Sequence, residues 1–226
     1  MNTKDFIFHE TSIRSKLNDF NSPIRLKMQQ APFVNSAVIL LIQPREETPY
    51  DLLMIRRTKR INDKHSGEMS FPGGKFDPKF DQSLLDTALR EVEEEIGVSR
   101  LTISILGSID DHLTPKGYII TPFVGFMVKK VKLIKQEEEV KEIVRIPINF
   151  FANKLNYKEK TYFLKGDRIA VGKFKYRTSN GKLYVIFGAS SHIIVKFIDT
   201  VYNIGLMTPG TRRIKCSDIE DKIIKN

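Results

Sequence analysis

Residues 71–98 read FPGGKFDPKFDQSLLDTALREVEEEIGV. Ser83 is a natural helix N-cap, with Asp86 three residues on to meet the positive end of the helix dipole. Gly97 is the natural stop. Between them Leu85, Ala88, Leu89, Val92 and Ile96 recur at three- and four-residue steps, which predicts an amphipathic helix with one buried stripe. That phase places the glutamates. At roughly 100° per residue, Glu91 and Glu95 lie about 40° apart beside the stripe, and Glu94 sits within about 60° of Glu91, farther out. Glu93 falls on the opposite flank, toward solvent. Three carboxylates therefore gather along one helix edge. Like charges that close stay ionised only beside a cation. Oxygen-only ligands favour Mg²⁺ or Mn²⁺ over zinc. The competing reading is a solvated acidic face, the commoner fate of a glutamate run.

Just upstream, Gly73-Gly74 lets the backbone take positive φ and approach a ligand closely. Before it, Arg56–Gly67 is dense in cations, and guanidinium and ammonium groups suit phosphate oxygens. A solvated basic loop is the alternative. With both stretches in view, Arg90-Glu91-Val92-Glu93-Glu94-Glu95-Ile96-Gly97-Val98 resembles, without a mismatch, the REUxEExGU half of the Nudix box, where U is aliphatic. Gly73-Gly74 stands where that family has its leading glycines, whereas Gln82 stands where the general pattern has Glu. Arg57-Thr58, His65-Ser66-Gly67, Phe71-Pro72-Gly73-Gly74 and Asp77 resemble the extra signature of the coenzyme A diphosphatase branch, as does LTPKGYIITPFVG at 113–125. Thr58 replaces the Ser or Ala usual there, and Asp63 stands where that branch has Arg.

The resemblance implies an α/β (α+β) fold, the Nudix-type α/β/α sandwich with a mixed β-sheet. It implies metal-dependent hydrolysis of the pyrophosphate bond of a nucleoside diphosphate linked to another moiety. Coenzyme A or an acyl-CoA is the first choice of substrate; ADP-ribose, NADH, a dinucleoside polyphosphate or a capped RNA end are the others. Glu91 and Glu95 would hold Mg²⁺ or Mn²⁺ with the carbonyl of Gly74, and Glu94 would complete the shell or orient water. Glu91, Glu94 and Arg90 form the catalytic set, with Arg90 orienting the glutamates. A loop glutamate at or near Glu139 competes with Glu91 as the base, and a solvated turn is the alternative for any one glutamate there. Arg56, Arg57, Arg60, Lys64 and Gly73 would bind substrate. A non-catalytic nucleotide- or nucleic-acid-binding module on the same scaffold is the reading from another class.

Working outward, Ala37–Ile42 reads as a buried strand and Asp51–Arg56 as a second. Strands follow at 101–109, 119–128, 140–146, 161–164, 168–177 and 182–186, with Ser179-Asn180-Gly181 as a hairpin turn. Short helices are expected near 10–20 and 148–155, and a longer one at 189–203, on which His192 is structural. Three regions result: an N-terminal extension (1–32) packed on the domain, the hydrolase domain (33–206), and a charged tail (207–226) that frays. The 226 residues are 41% hydrophobic and 28% charged, ordinary for a globular chain. A net charge of +10 favours polyanions. One cysteine, Cys216, excludes an intrachain disulfide. No apolar run reaches the roughly 20 residues a membrane span needs. The expected setting is cytoplasmic, with a nucleotide-like small molecule as partner and neither membrane nor nucleic acid. A homodimer is one option for the assembly.

Overall fold

The computed structural model describes residues 3–28, 32–58 and 67–219. Its centre is a mixed sheet built on β1 (Val34–Gln43). This strand pairs in parallel with β7 (Tyr118–Met127), from Val34↔Tyr118 to Ile42↔Phe126. On its other side it pairs antiparallel first with β4 (Gly73–Lys75) and then with β2 (Asp51–Arg57). Next to β2 lie β3 (Met69–Ser70) and β8 (Val140–Pro147), and next to β7 lie β5 (Ile103–Ser108) and β6 (His112–Leu113). The glycine turn expected at 73–74 is thus also a short strand, paired with Ala37 and Val38.

Two layers cover the sheet, and the period of two along β1 sorts its residues between them. Ala37, Ile39 and Leu41 pack with Leu84, Ala88, Val92 and Ile96 of the helix α2 (Leu84–Ile96). Leu40 and Ile42 face the opposite layer, with Ile194, Val195, Phe197 and Ile198 of the helix α4 (Gly188–Tyr202). That layer also contains a separate three-stranded sheet of β9 (Tyr157–Leu164), β10 (Asp167–Arg177) and β11 (Leu183–Phe187). Its strands are the ones expected from alternation, but they leave the main sheet and bury Tyr157, Phe174, Tyr184 and Ile186 against α4 and α3 (Ile148–Ala152).

The expected N-terminal helix is shorter than the sequence pattern, spanning only α1 (Glu10–Arg14). Phe6 and Ile13 are buried in the core beneath α4. Residues 20–28 are fastened by Arg25, whose side chain is buried against Asp111 at 2.5 Å. Asp111 also accepts from Met28 N (2.8 Å) and Thr121 Oγ1 (2.7 Å). In the charged tail, Ile214 and Ile219 are buried with Phe33, Leu113 and Ile169, and Arg212 is forked onto Asp218 (2.6 and 3.0 Å). Ile214 and Ile219, with Cys216 between them, dock this stretch where its charge content predicts fraying. Among the described residues no helix is long and apolar enough to cross a membrane.

Candidate active site

The helix α2 starts and stops where its sequence dictates. Ser83 accepts from Asp86 N at 3.1 Å, and Gly97 closes the helix in the left-handed conformation with φ 67°. The buried stripe then fixes the rotation of the helix about its axis, and with it the glutamates.

Glu95 is 1% exposed. One carboxylate oxygen accepts from Gly73 N at 3.0 Å, and the other lies 4.0 Å from Arg57 Nη1. Glu91 is half-buried beside it. A Cβ on Gly74 would sit 2.1 Å from Glu91 Oε1, and one on Gly73 would sit 2.2 Å from the carbonyl oxygen of Ala37. Gly73 is therefore required by its close approach to the β1 backbone and its positive φ, whereas a side chain at Gly74 would displace the Glu91 carboxylate. Ligand oxygens of Glu91, Glu95 and Glu139 all lie within 4.8 Å of one another.

Glu139 comes from the loop before β8, and backbone hydrogen bonds bring it there. Gln136 N donates to Glu95 O (3.0 Å), Ile134 N to Ile96 O (2.9 Å) and Thr58 N to Glu139 O (2.8 Å). The acidic run 137–139 thus contributes one residue to the cluster. Nothing in the local pattern distinguishes Glu139 from Glu137 or Glu138; the signal is the long-range tie of the loop to the end of α2.

Arg90 organises the helix edge. Its Nε and Nη2 fork onto Asp81 (2.7 and 3.1 Å), and its Nη1 reaches Glu91 (3.0 Å) and Glu94 (2.8 Å). Asp81 is itself buried and also accepts from Thr87 Oγ1 (2.9 Å) and Asp77 N (2.9 Å). The guanidinium holds the Asp81 carboxyl down to about 2, and the carboxylates raise Arg90 further above its ordinary value. Glu94, grouped at the sequence level with the metal ligands, is drawn to Arg90 one turn back and stands outside the three-carboxylate cluster, more than half exposed. Glu93 does not point freely to solvent: Arg100 bonds it through both its N–H (2.9 Å) and Nε (2.8 Å).

Burial pushes Glu95 up to about 8, with the neighbouring Glu91 adding to the rise and Gly73 N–H and Arg57 opposing it. Burial likewise raises Glu91. Two acids disfavoured as anions, a third carboxylate within reach and oxygen-only donors make a set that fits a hard divalent cation.

The basic residues divide. Arg56 and Arg57 are consecutive on β2 and face opposite ways, as a strand requires. Arg57 looks to Glu95, whereas Arg56 lies 3.5 Å from Glu142, a carboxylate that also takes Lys182 Nζ (2.5 Å) and Tyr184 OH (2.7 Å) from the second sheet. Gly73 offers its N–H to Glu95. Arg60 and Lys64 lie outside the described residues. Lys75, at the end of β4, stacks its ammonium 5.4 Å from the Tyr118 ring and brings a further cation beside the glycine pair that the sequence pattern did not single out.

Comparison with known proteins completes the description. The family model described as NUDIX domain matches residues 32–163. An "Uncharacterized Nudix hydrolase NudL" of Yersinia enterocolitica is 36% identical over 137 residues, 58% of this chain and 68% of that protein. The protein of the same name from Yersinia pestis (strain Pestoides F) is 39% identical over 114 residues, 50% of this chain, and the match spans only about half, 55%, of its length. The crystal structure of a MutT/nudix family protein from Enterococcus faecalis covers 79% of this chain and 66% of its own, at 16% identity and a TM-score of 0.49.

Proposed function

Since the chain belongs to the Nudix hydrolase family, we propose that it hydrolyses the pyrophosphate bond of a nucleoside diphosphate linked to another moiety, with coenzyme A or an acyl-CoA as substrate. The products are then 3′,5′-ADP and (acyl-)4′-phosphopantetheine. The observation that carries the reaction class is the convergence of Glu91, Glu95 and Glu139 within 4.8 Å beside the packed glycine pair. The substrate reading rests on the resemblance of residues 57–77 and 113–125 to the coenzyme A branch.

In this reading Glu91, Glu95 and Glu139 would hold Mg²⁺ or Mn²⁺, with the carbonyl of Gly74 as a further oxygen donor. The bound cation supplies charge neutralisation at the diphosphate and a lowered pKa for a coordinated water. The chain's own residues do the rest. Asp81 fixes Arg90, and Arg90 in turn fixes Glu91 and Glu94, so the catalytic edge is oriented before substrate arrives. Arg90, with all three guanidinium nitrogens engaged, is a positioning residue. Glu94, exposed at the rim, orients water. Glu91 or Glu139, each with an oxygen in the same cluster as the buried Glu95, would take the proton from the attacking water. Arg57, beside Glu95, meets phosphate oxygens next to the glycine pair.

The test is incubation of the purified chain with coenzyme A and Mg²⁺ or Mn²⁺, with chromatography for 3′,5′-ADP. Its appearance, abolished by EDTA, supports both reaction and substrate. Cleavage of ADP-ribose or NADH in its place retains the reaction and removes the substrate. No cleavage of any of these diphosphates leaves a binding module.

A further inference from the structure

We infer that the outer face of the β9–β11 sheet is a docking surface for an anionic lipid bilayer. The inner face of this sheet is consumed by the core, where Tyr157, Phe174, Tyr184 and Ile186 are buried. The alternate positions turn outward. In register they are Lys160 opposite Val171, Lys158 and Phe187 on either side of Lys173, Val185 opposite Lys175, and Leu183 opposite Arg177. Five cations and four apolar residues share this part of the face, and no carboxylate is among them; past Lys160 and Val171 the same face carries the exposed Tyr162 opposite the buried Ile169, and then Asp167. Val171, Leu183, Val185 and Phe187 are all exposed. Outward-facing strand positions are ordinarily polar and mixed in sign, so an apolar strip on β11 beside a one-sign field on β9 and β10 calls for a partner.

Charge and shape choose the partner. A second copy of the chain would set lysine against lysine, which opposes self-association through this face. A single strand of nucleic acid is held chiefly by stacking rings and guanidinium planes. Here the two exposed rings, Phe187 and Tyr162, sit apart on the two outer strands, the other exposed apolar residues are aliphatic, and lysine outnumbers arginine four to one. Ammonium groups on long apolar stems, alternating with aliphatic side chains, suit a layer of anionic headgroups with acyl chains beneath. No spanning helix is needed for this, so it revises the sequence expectation of no membrane partner, which rested on the absence of a span.

The experiment is co-sedimentation of the full chain with vesicles of phosphatidylcholine alone and of phosphatidylcholine carrying about one third phosphatidylserine. Binding is expected to the anionic vesicles only, and release at high salt. Neutralising Lys158, Lys160, Lys173 and Lys175 together to Gln should weaken binding about five-fold per lysine, several hundred-fold in all. These side chains lie at the surface, so circular dichroism and the melting temperature should match those of the parent chain. Val185→Asp, one acid placed at the centre of the face, is an independent variant and should lower binding about ten-fold. Equal binding to neutral vesicles, parent-like binding by both variants, or retention on polyuridylate with none on vesicles would each overturn the inference.

Discussion

The two faces of the central sheet are built to different ends. On the α2 face a modest apolar stripe supports a row of charge: Glu95 is buried, Glu91 is half-buried, and both are disfavoured as anions where they stand. On the α4 face the core is larger and aromatic. Phe174 alone meets Phe150, Phe151 and Tyr157 at ring-centroid distances of 4.9 to 6.3 Å. Its polar groups are satisfied, as when the Tyr50 and Tyr202 hydroxyls bond each other at 2.8 Å. One face holds free energy in reserve for a ligand; the other supplies the stability that makes this tolerable. Substitutions on the first face should therefore remove activity at little cost in stability, and substitutions on the second should do the reverse.

The sharpest break of this contrast is Glu95→Gln. The amide oxygen can still accept from Gly73 N–H, so the fold should persist. Activity on the diphosphate substrate should fall roughly a thousand-fold, about 4 kcal/mol in the barrier. In chelator at neutral pH the variant should melt no lower than the parent, because a carboxyl raised to about 8 by burial opposes folding once the unfolded chain is ionised. A variant with full turnover, or one that is unfolded, would erase the distinction between the faces. The opposite case is Phe174→Ala, which should cost about 3 kcal/mol or more of stability and lower the melting temperature by roughly 6 °C or more. Its turnover per folded molecule at 25 °C should be unchanged. Between them lies Asp81→Asn, which loosens Arg90 without touching substrate. A fall in kcat of roughly 10- to 100-fold with little change in KM is expected. If KM alone moves, Arg90 contacts substrate and is not a positioning residue.

How much of this could be read beforehand differs between the same two faces. The helix, its caps and the placement of Glu91 and Glu95 follow from spacing within 28 consecutive residues, because a helix is a local object. The opposed directions of Arg56 and Arg57 were missed because the expected strand stopped at Arg56, one residue short of the observed Asp51–Arg57. Glu139 was named only as one of a run and as a candidate base, because its place in the carboxylate cluster depends on hydrogen bonds from Gln136 to Glu95 and from Thr58 to Glu139, which join loops distant in sequence. The strands at 157–187 were legible as strands, but alternation says nothing about which sheet a strand joins. That was decided by the aromatic side chains that meet α4.

The smallest effect probes the second face by pH. His112 and His192 lie with ring centroids 5.2 Å apart, and His192 Nε2 accepts from Gly172 N at 3.0 Å, so this nitrogen carries no proton in the fold. Burial first, then the nearby Arg213, lowers His112 to about 4; burial, Arg213 and His112 lower His192 to about 2. Between the unfolded value near 6.5 and these folded values, the unfolded chain binds protons that the fold refuses. The share of stability that the two rings control is then complete above about pH 6.5 and falls as the pH drops toward 4, by up to about 1.4 kcal/mol per pH unit for each ring. In His192→Gln the amide oxygen can keep the bond from Gly172 N while one proton site is removed. Relative to the parent, the variant should lose about 2 kcal/mol less stability, or gain that much more, between pH 7 and pH 5 in urea titrations, with the diphosphatase rate at pH 8 unaltered. An unchanged acid slope would mean that His192 is protonated in the fold and that the second face, like the first, tolerates a buried charge.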